Sequence, residues 1–200
     1  IFGRADPRRA AAVAPDEFRH VMARFATGVT VVTCRQDGFD HAMTANSFTS
    51  VSLEPALVLV CVEDDSRFHD AITAVDTWSV NVLEESQRGR ASWFATRGRP
   101  LTGQFDATPT HRSELTGALL LDGSLAVIEC RTVAVHRAGD HDILVGEVLD
   151  LRLLDETADE LSADERLVDE VRTERELAAA REAADQHAEA IAESRLAAAA

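Results

Sequence analysis

Two adjacent stretches constrain the fold most. SLAVIECRTVAVHRAG (124–139) and HDILVGEVLDLRLL (141–154) are both rich in β-branched and aliphatic residues, and the turn-like AGD (138–140) separates them. Together they predict a long β-hairpin. A hairpin of this length commits the chain to an antiparallel sheet, because parallel neighbours need a long crossover.

The remaining strand signals fit that commitment. VTVVTC (29–34) is a β-branched run followed by the turn signal RQDG (35–38), and WSVNVL (78–83) is a further strand. ALVLVCV (56–62) is apolar throughout and predicts a strand buried on both faces. Helical spacing marks three short helices. DEFRHVMARFATG, from Asp16, sets Phe18, Val21, Met22 and Phe25 on one face and stops at Gly28. SRFHDAITAV (66–75) opens on a serine cap, and ESQRGRASWFATRG (85–98) reads as helical up to Phe94. About six strands with two or three short helices, and no βαβ alternation, predict a mainly β protein. Its expected form is an antiparallel barrel with appended helices.

The ends differ from this body. Residues 1–15 (IFGRADPRRAAAVAP) read as a loose N-terminal leader without the continuous apolar segment of a signal peptide. The missing initiator Met points to a trimmed or incomplete start. From Asp155 to Ala200 there is no Gly, Pro or aromatic residue. That segment holds 14 acidic and 5 basic residues and so carries −9 of the chain's net −15. Leu161, Leu167, Val168, Val171 and Leu177 form a thin apolar stripe, predicting an acidic C-terminal helical extension. The expected organisation is therefore a leader (1–15), one domain (16–154) and a tail (155–200).

Charge and cysteines narrow the class. With a net charge of −15 and a pI near 4.8, the chain is a poor match for nucleic acid, which needs a basic surface. No apolar run is long enough to span a bilayer as a helix. Cys34, Cys61 and Cys130 have no metal-ligand spacing, and the last two sit in apolar runs, so a reduced cytoplasmic protein is expected. A disulfide pair is the alternative.

Three features carry chemistry, each with a plainer reading beside it. HAMTANSFTSVSLEP (41–55) concentrates Thr44, Asn46, Ser47, Thr49, Ser50 and Ser52 where a half-buried strand would alternate apolar and polar residues. Small donors and acceptors beside backbone N–H groups suit phosphates or a polar heteroaromatic ring; they also suit a solvated edge strand. Arg88, Arg90, Arg97 and Arg99 lie close together beside Trp93 and Phe94. They would anchor a phosphorylated cofactor, or pair with Glu84, Glu85 and the acidic tail. GDHDILVGEV (139–148) sets His141 at a strand entrance and puts Gly146 inside the strand, where it marks a bulge or the close approach of a ligand. His136, Asp140, His141 and Asp142 could be imagined as metal ligands, but neither HExxH nor a Cys/His quartet is present. GxGxxG, GxxxxGK[ST] and GxSxG are also absent, so a dinucleotide would bind without a Rossmann unit.

These blocks match something specific when taken in order. FATGVTVVT (25–33), MTANSFTSVSLEP (43–55), LVLVCV (57–62), WSVNVL (78–83), LAVIEC (125–130) and GDHDILVGEV (139–148) resemble the short-chain flavin reductases, the reductase components of two-component flavin-dependent monooxygenases. The resemblance spans about residues 16 to 154. It implies a flavin-binding split β-barrel, usually a homodimer, that uses NADH or NADPH to reduce FMN or FAD for a separate oxygenase.

The resemblance also implies site residues. Thr44, Ala45, Asn46, Ser47 and Phe48 fall to the isoalloxazine and ribityl region, with Ser52 and Leu53 near its far edge. Cys61, Val62 and Ser66 fall to the ribityl-phosphate end, with Phe94 and Arg97 beside them. His141, in the GDH block, falls near the nicotinamide as the group positioning hydride transfer. Family members commonly close on PL-[hydrophobic]-Y-x-x-G-x-Y shortly after the last strand, and nothing like it follows Leu154. A solvated helix packed on the dimer, a lid over the site and a dock for the oxygenase are the readings open to the tail. Two alternatives to the reductase remain: a split-barrel oxidase that keeps its flavin for its own substrate, and a flavin-binding electron carrier.

Overall fold

Seven strands form one antiparallel sheet in the computed structural model, which describes residues 13–154. The strands are β1 (Thr30–Gln36), β2 (Phe39–Ala45), β3 (Thr49–Leu53), β4 (Ala56–Glu63), β5 (Thr77–Val82), β8 (Ala126–Ala138) and β9 (His141–Leu153), in the order β2-β1-β5-β8-β9-β4-β3. A separate two-stranded hairpin joins β6 (Thr110–Arg112) to β7 (Leu119–Leu121). The helices are α1 (Pro15–Met22), α2 (Arg67–Thr73) and α3 (Arg88–Ala95).

The strand order explains the shape. The two edge strands, β2 and β3, are consecutive in the chain and joined by only Asn46, Ser47 and Phe48. Such a link reaches at most about 15 Å, so the sheet must curl until its edges nearly meet. No β2–β3 ladder closes the gap, and the barrel is split there. HAMTANSFTSVSLEP is thus one edge, the bridge across the split, and the other edge.

Local chemistry fixes the register. Asp37 and Gly38 turn β1 into β2 with φ of 51° and 84°, the left-handed pair of a two-residue hairpin loop. Gly139 and Asp140 connect β8 to β9, whose pairing runs from Ala138↔His141 to Ala126↔Leu153 with two register shifts. Val32, Val58, Val60, Val62, Trp78, Val80 and Leu144 fill the barrel interior, and α2 plugs one end with Phe68, Ala71 and Ile72. On the outer face of β1 and β2, Val31 and Ala42 pack with Leu83, Phe94 and Leu121, seating α3 and the small hairpin. Thr33 and Asn81 hold that hairpin through the Leu119 carbonyl and the Leu121 amide.

Several expectations change. The structure has nine strands among the described residues, because the 41–55 stretch divides into β2 and β3 and because β6 and β7 were too short to carry a periodic signal. The first helix ends at Met22, and Phe18, Val21, Met22 and Phe25 are all exposed: with no buried residue there is no packing to propagate a longer helix. Strand β4 alternates, burying Val58, Val60 and Val62 while the opposite face is only half-buried, so it is not covered on both faces. Gly146 makes room for the Trp78 ring rather than for a ligand. The tail stripe and its helix lie outside the described residues.

Candidate functional site

A cavity of about 430 Å³ opens beside the split. Strand β2 supplies one wall with His41, Ala42, Met43 and Thr44; the end of β4 and the start of α2 supply Glu63, Asp65, Ser66, Arg67 and Phe68; the end of α3 and its exit loop supply Phe94 to Arg99.

Two of the hydroxyls that stand out in the sequence, Thr44 and Ser47, hold this frame together with the Ser66 cap. Thr44 donates to the Ala91 carbonyl at 2.7 Å, tying β2 to α3. Ser47 donates to the Cys61 carbonyl at 3.1 Å and accepts from the Cys61 amide at 3.2 Å, taking the place of a ladder rung beyond β3. Ser66 caps α2 by accepting from the His69 amide at 3.1 Å and donates to the Glu63 carbonyl at 2.8 Å. With side chains spent on backbone groups, the edge keeps its shape without a ligand.

Of the residues the resemblance pointed to, Thr44, Ser66, Phe94 and Arg97 line the cavity. Ala45 is buried, Asn46 is exposed, and Ser47 and Phe48 are half-buried on the bridge across the split. Cys61 is half-buried beside Ser47. The Val62 side chain is fully buried in the barrel core, so only its backbone can face a ligand. Ser52 and Leu53 stand at the far end of β3, where Leu53 is 81% exposed. His141 is not in the cavity wall, but its ladder partner Glu63 is, and paired residues present their side chains to the same face.

The arginine cluster divides. Arg88 pairs with Glu85 at 2.7 Å, and Arg90 donates to the Asp122 carbonyl, so neither serves the cavity. Arg97 pairs with Glu63 across the cavity rim, which raises its pKa through that hydrogen bond and the charge behind it. Arg99 is a frame residue: it donates to the carbonyls of Phe94 at 2.7 Å, Thr96 at 2.9 Å and Ala42, and stacks 5.5 Å from the Phe94 ring centroid. Burial, then the neighbouring Arg67, push its pKa down to about 10.

Arg67, His41 and Arg99 had no sequence signal as a set. Arg67 donates to the Arg99 carbonyl at 3.0 Å, and among the described residues no carboxylate lies within ion-pair distance of either guanidinium. His41 is buried, and desolvation followed by Arg67 hold its pKa below the ordinary value, against Asp40. Arg99 spends its donors on Gln104 and three carbonyls, so Arg67, with no carboxylate partner among the described residues, is the guanidinium left to meet an anion such as a phosphate at this end of the cavity. The rest of the lining mixes apolar groups that suit a flat ring (Ala42, Met43, Phe68, Phe94 and Ala95) with the Thr44 and Thr96 hydroxyls and the Glu63 and Asp65 carboxylates. A phosphorylated flavin fits this donor set.

Among the described residues no group of His, Cys, Asp and Glu could hold a metal ion, and no helix is long and apolar enough to cross a membrane. Cys34 and Cys130 are buried free thiols raised to about 12, by desolvation first and then by Asp40 and Glu129 respectively.

Comparison with known proteins places this geometry in a family. The model of the flavin reductase like domain matches residues 22–171. The NADH:riboflavin 5'-phosphate oxidoreductase of Streptomyces pristinaespiralis is 41% identical over 153 residues, covering 75% of this chain and 84% of that protein. The flavin-dependent monooxygenase reductase subunit HsaB of Mycobacterium tuberculosis is 38% identical over 138 residues, covering 69% and 72%. The structure of the NADH:FAD oxidoreductase SgcE6 of Streptomyces globisporus, in complex with NAD and FAD fragments, superposes with a TM-score of 0.66 at 41% identity, covering 72% of this chain and 87% of that one. The chain belongs to the flavin reductase like domain family, and its architecture is a mainly β split barrel.

Proposed function

We propose that this protein is an NAD(P)H:flavin oxidoreductase that reduces FMN or FAD and releases it to a partner monooxygenase. The observation that carries the reading is the cavity beside the split, with Arg67 at one end and Met43, Phe68 and Phe94 in its lining, in a chain of this family. Flavin and nicotinamide supply the redox chemistry by direct hydride transfer; the protein supplies binding and alignment.

In this reading Thr44, Ala45, Asn46, Ser47 and Phe48 follow the ring and ribityl chain along the bridge, with Ser52 and Leu53 beyond the ring. The Cys61–Val62 backbone, Ser66, Phe94 and Arg97 serve the phosphate end, joined by Arg67. His141, on the same face as Glu63, orients the nicotinamide or supplies a proton to reduced flavin. A homodimer would cover the exposed Phe18, Val21, Met22 and Phe25 of the α1 region and Leu151 and Leu153 of β9. A cytoplasmic setting suits the three free cysteines. The boundaries at 15 and 154 separate the catalytic domain from the two ends.

The test is oxidation of NADH and NADPH by purified protein, without flavin and then with FMN, FAD or riboflavin. Turnover that saturates with added flavin supports the reductase. Tightly retained flavin without turnover of free flavin supports an oxidase or carrier instead.

A further inference from the structure

The His141 role proposed above depends on how firmly the tip of the β8–β9 hairpin is aimed. That tip is a two-residue turn. The ladder sets the face that His141 takes, through Ala138 and Glu63, and Asp140 Oδ1 lies 2.8 Å from its ring Nδ1. Two further contacts tie down the backbone on which it stands. The Asp64 amide donates to the Asp140 carbonyl at 3.1 Å. One residue past His141, Asp142 turns inward and meets His69 Nε2 at 2.7 Å, with Arg137 behind it at 3.6 Å.

The His69–Asp142 pair is well shielded, with side chains 17% and 15% exposed. It joins two elements distant in sequence: α2, whose first residue Arg67 forms the cationic end of the cavity, and the start of β9. Successive strand residues point to opposite faces. Asp142 faces the barrel plug, so His141 faces outward, beside Glu63 and the cavity wall. Simple plugging does not need this polarity, since Phe68, Ala71 and Ile72 already bury the helix, and an apolar pair would hold it as well. What the hydrogen bond adds is a tie that fixes the start of β9 against α2.

We infer that His69 is a positioning residue for hydride transfer, acting through Asp142 to aim His141 and to keep it in register with the anion end of the cavity. The inference rests on the proposed role of His141. It involves no bond making at His69.

The test is a double-mutant cycle with anaerobic single-turnover reduction of FMN by NADH, alongside FMN affinity from fluorescence quenching. His69→Leu keeps the plug and removes the hydrogen bond. It slows reduction about tenfold, short of the roughly hundredfold cost of a 1 Å misplacement, while FMN affinity changes less than about threefold. His69→Gln, which can still donate to Asp142, restores most of the rate. In a His141→Ala background, His69→Leu adds no further loss. In flavin-free protein the His141 ring proton resonance moves in His69→Leu and returns in His69→Gln. Asp142→Leu, which removes the acceptor, gives the same direction of change from the other side of the pair. Additive losses, or a His141 resonance that does not move, overturn the inference while leaving the reductase intact. An unchanged rate in His141→Ala alone overturns the His141 assignment and this inference with it.

Discussion

The indole of Trp78 lies against Gly146: a Cβ at position 146 would stand 2.5 Å from Cζ2 and 3.2 Å from Cη2 of the ring. Trp78 is fully buried, and its indole N–H donates to Thr132 Oγ1 at 3.0 Å, so the ring has little room to retreat. Gly146→Ala therefore lowers stability by about 1–3 kcal/mol, the ordinary cost of overpacking a core. Urea denaturation checks this, and an unchanged midpoint would mean that the ring moves freely.

Arg67 separates phosphorylated from unphosphorylated flavins. Arg67→Ala weakens FMN and FAD binding about tenfold, consistent with loss of one solvent-exposed charge-assisted contact, and leaves riboflavin affinity nearly unchanged. Fluorescence titration with the three flavins reads the difference. Equal losses for all three would put Arg67 in the frame of the cavity rather than at its anion end.

Thiol reactivity reports the site from another side. Cys34 and Cys130, buried and held near 12, resist iodoacetamide at pH 8 in native protein, whereas the half-buried Cys61 is modified. Saturating FMN slows modification of Cys61. Mass spectrometry of the alkylated protein decides, and FMN without effect would move the flavin away from the Ser47–Cys61 contact.

His41 gives the protein a pH-dependent stability. Its folded pKa lies below the ordinary 6.5 because of burial and Arg67, so the unfolded chain binds the proton more readily. The contribution is complete above 6.5 and is lost as pH falls through the lower folded value. His41→Gln flattens that slope of denaturation free energy against pH; a slope identical to the parent's would assign it to other groups.

Much of this was legible in the residues, for identifiable reasons. The β8–β9 hairpin and the Asp37–Gly38 turn rest on local chemistry, as does the Ser66 cap of α2. The bridge at Asn46–Phe48 was visible as a break in alternation, but not that it joins the two sheet edges, which depends on long-range strand order. The arginines show the limit most clearly. Arg88, Arg90, Arg97 and Arg99 look alike in the chain, yet partners at Glu85, Asp122, Glu63 and Ala42 give them different tasks. Arg67 and His41 gained significance only when α2 met the edge of β2. Gly146 suits a bulge or a ligand's approach in the sequence, which does not say that Trp78 crosses it.

The most direct test of the central claim is anaerobic incubation of the protein with NADH and a large excess of FMN or FAD, followed by ultrafiltration. A diffusible-flavin reductase leaves reduced flavin in the filtrate in many-fold excess over protein. Reduction limited to one equivalent, retained with the protein, would contradict it and favour a flavoprotein that keeps its cofactor.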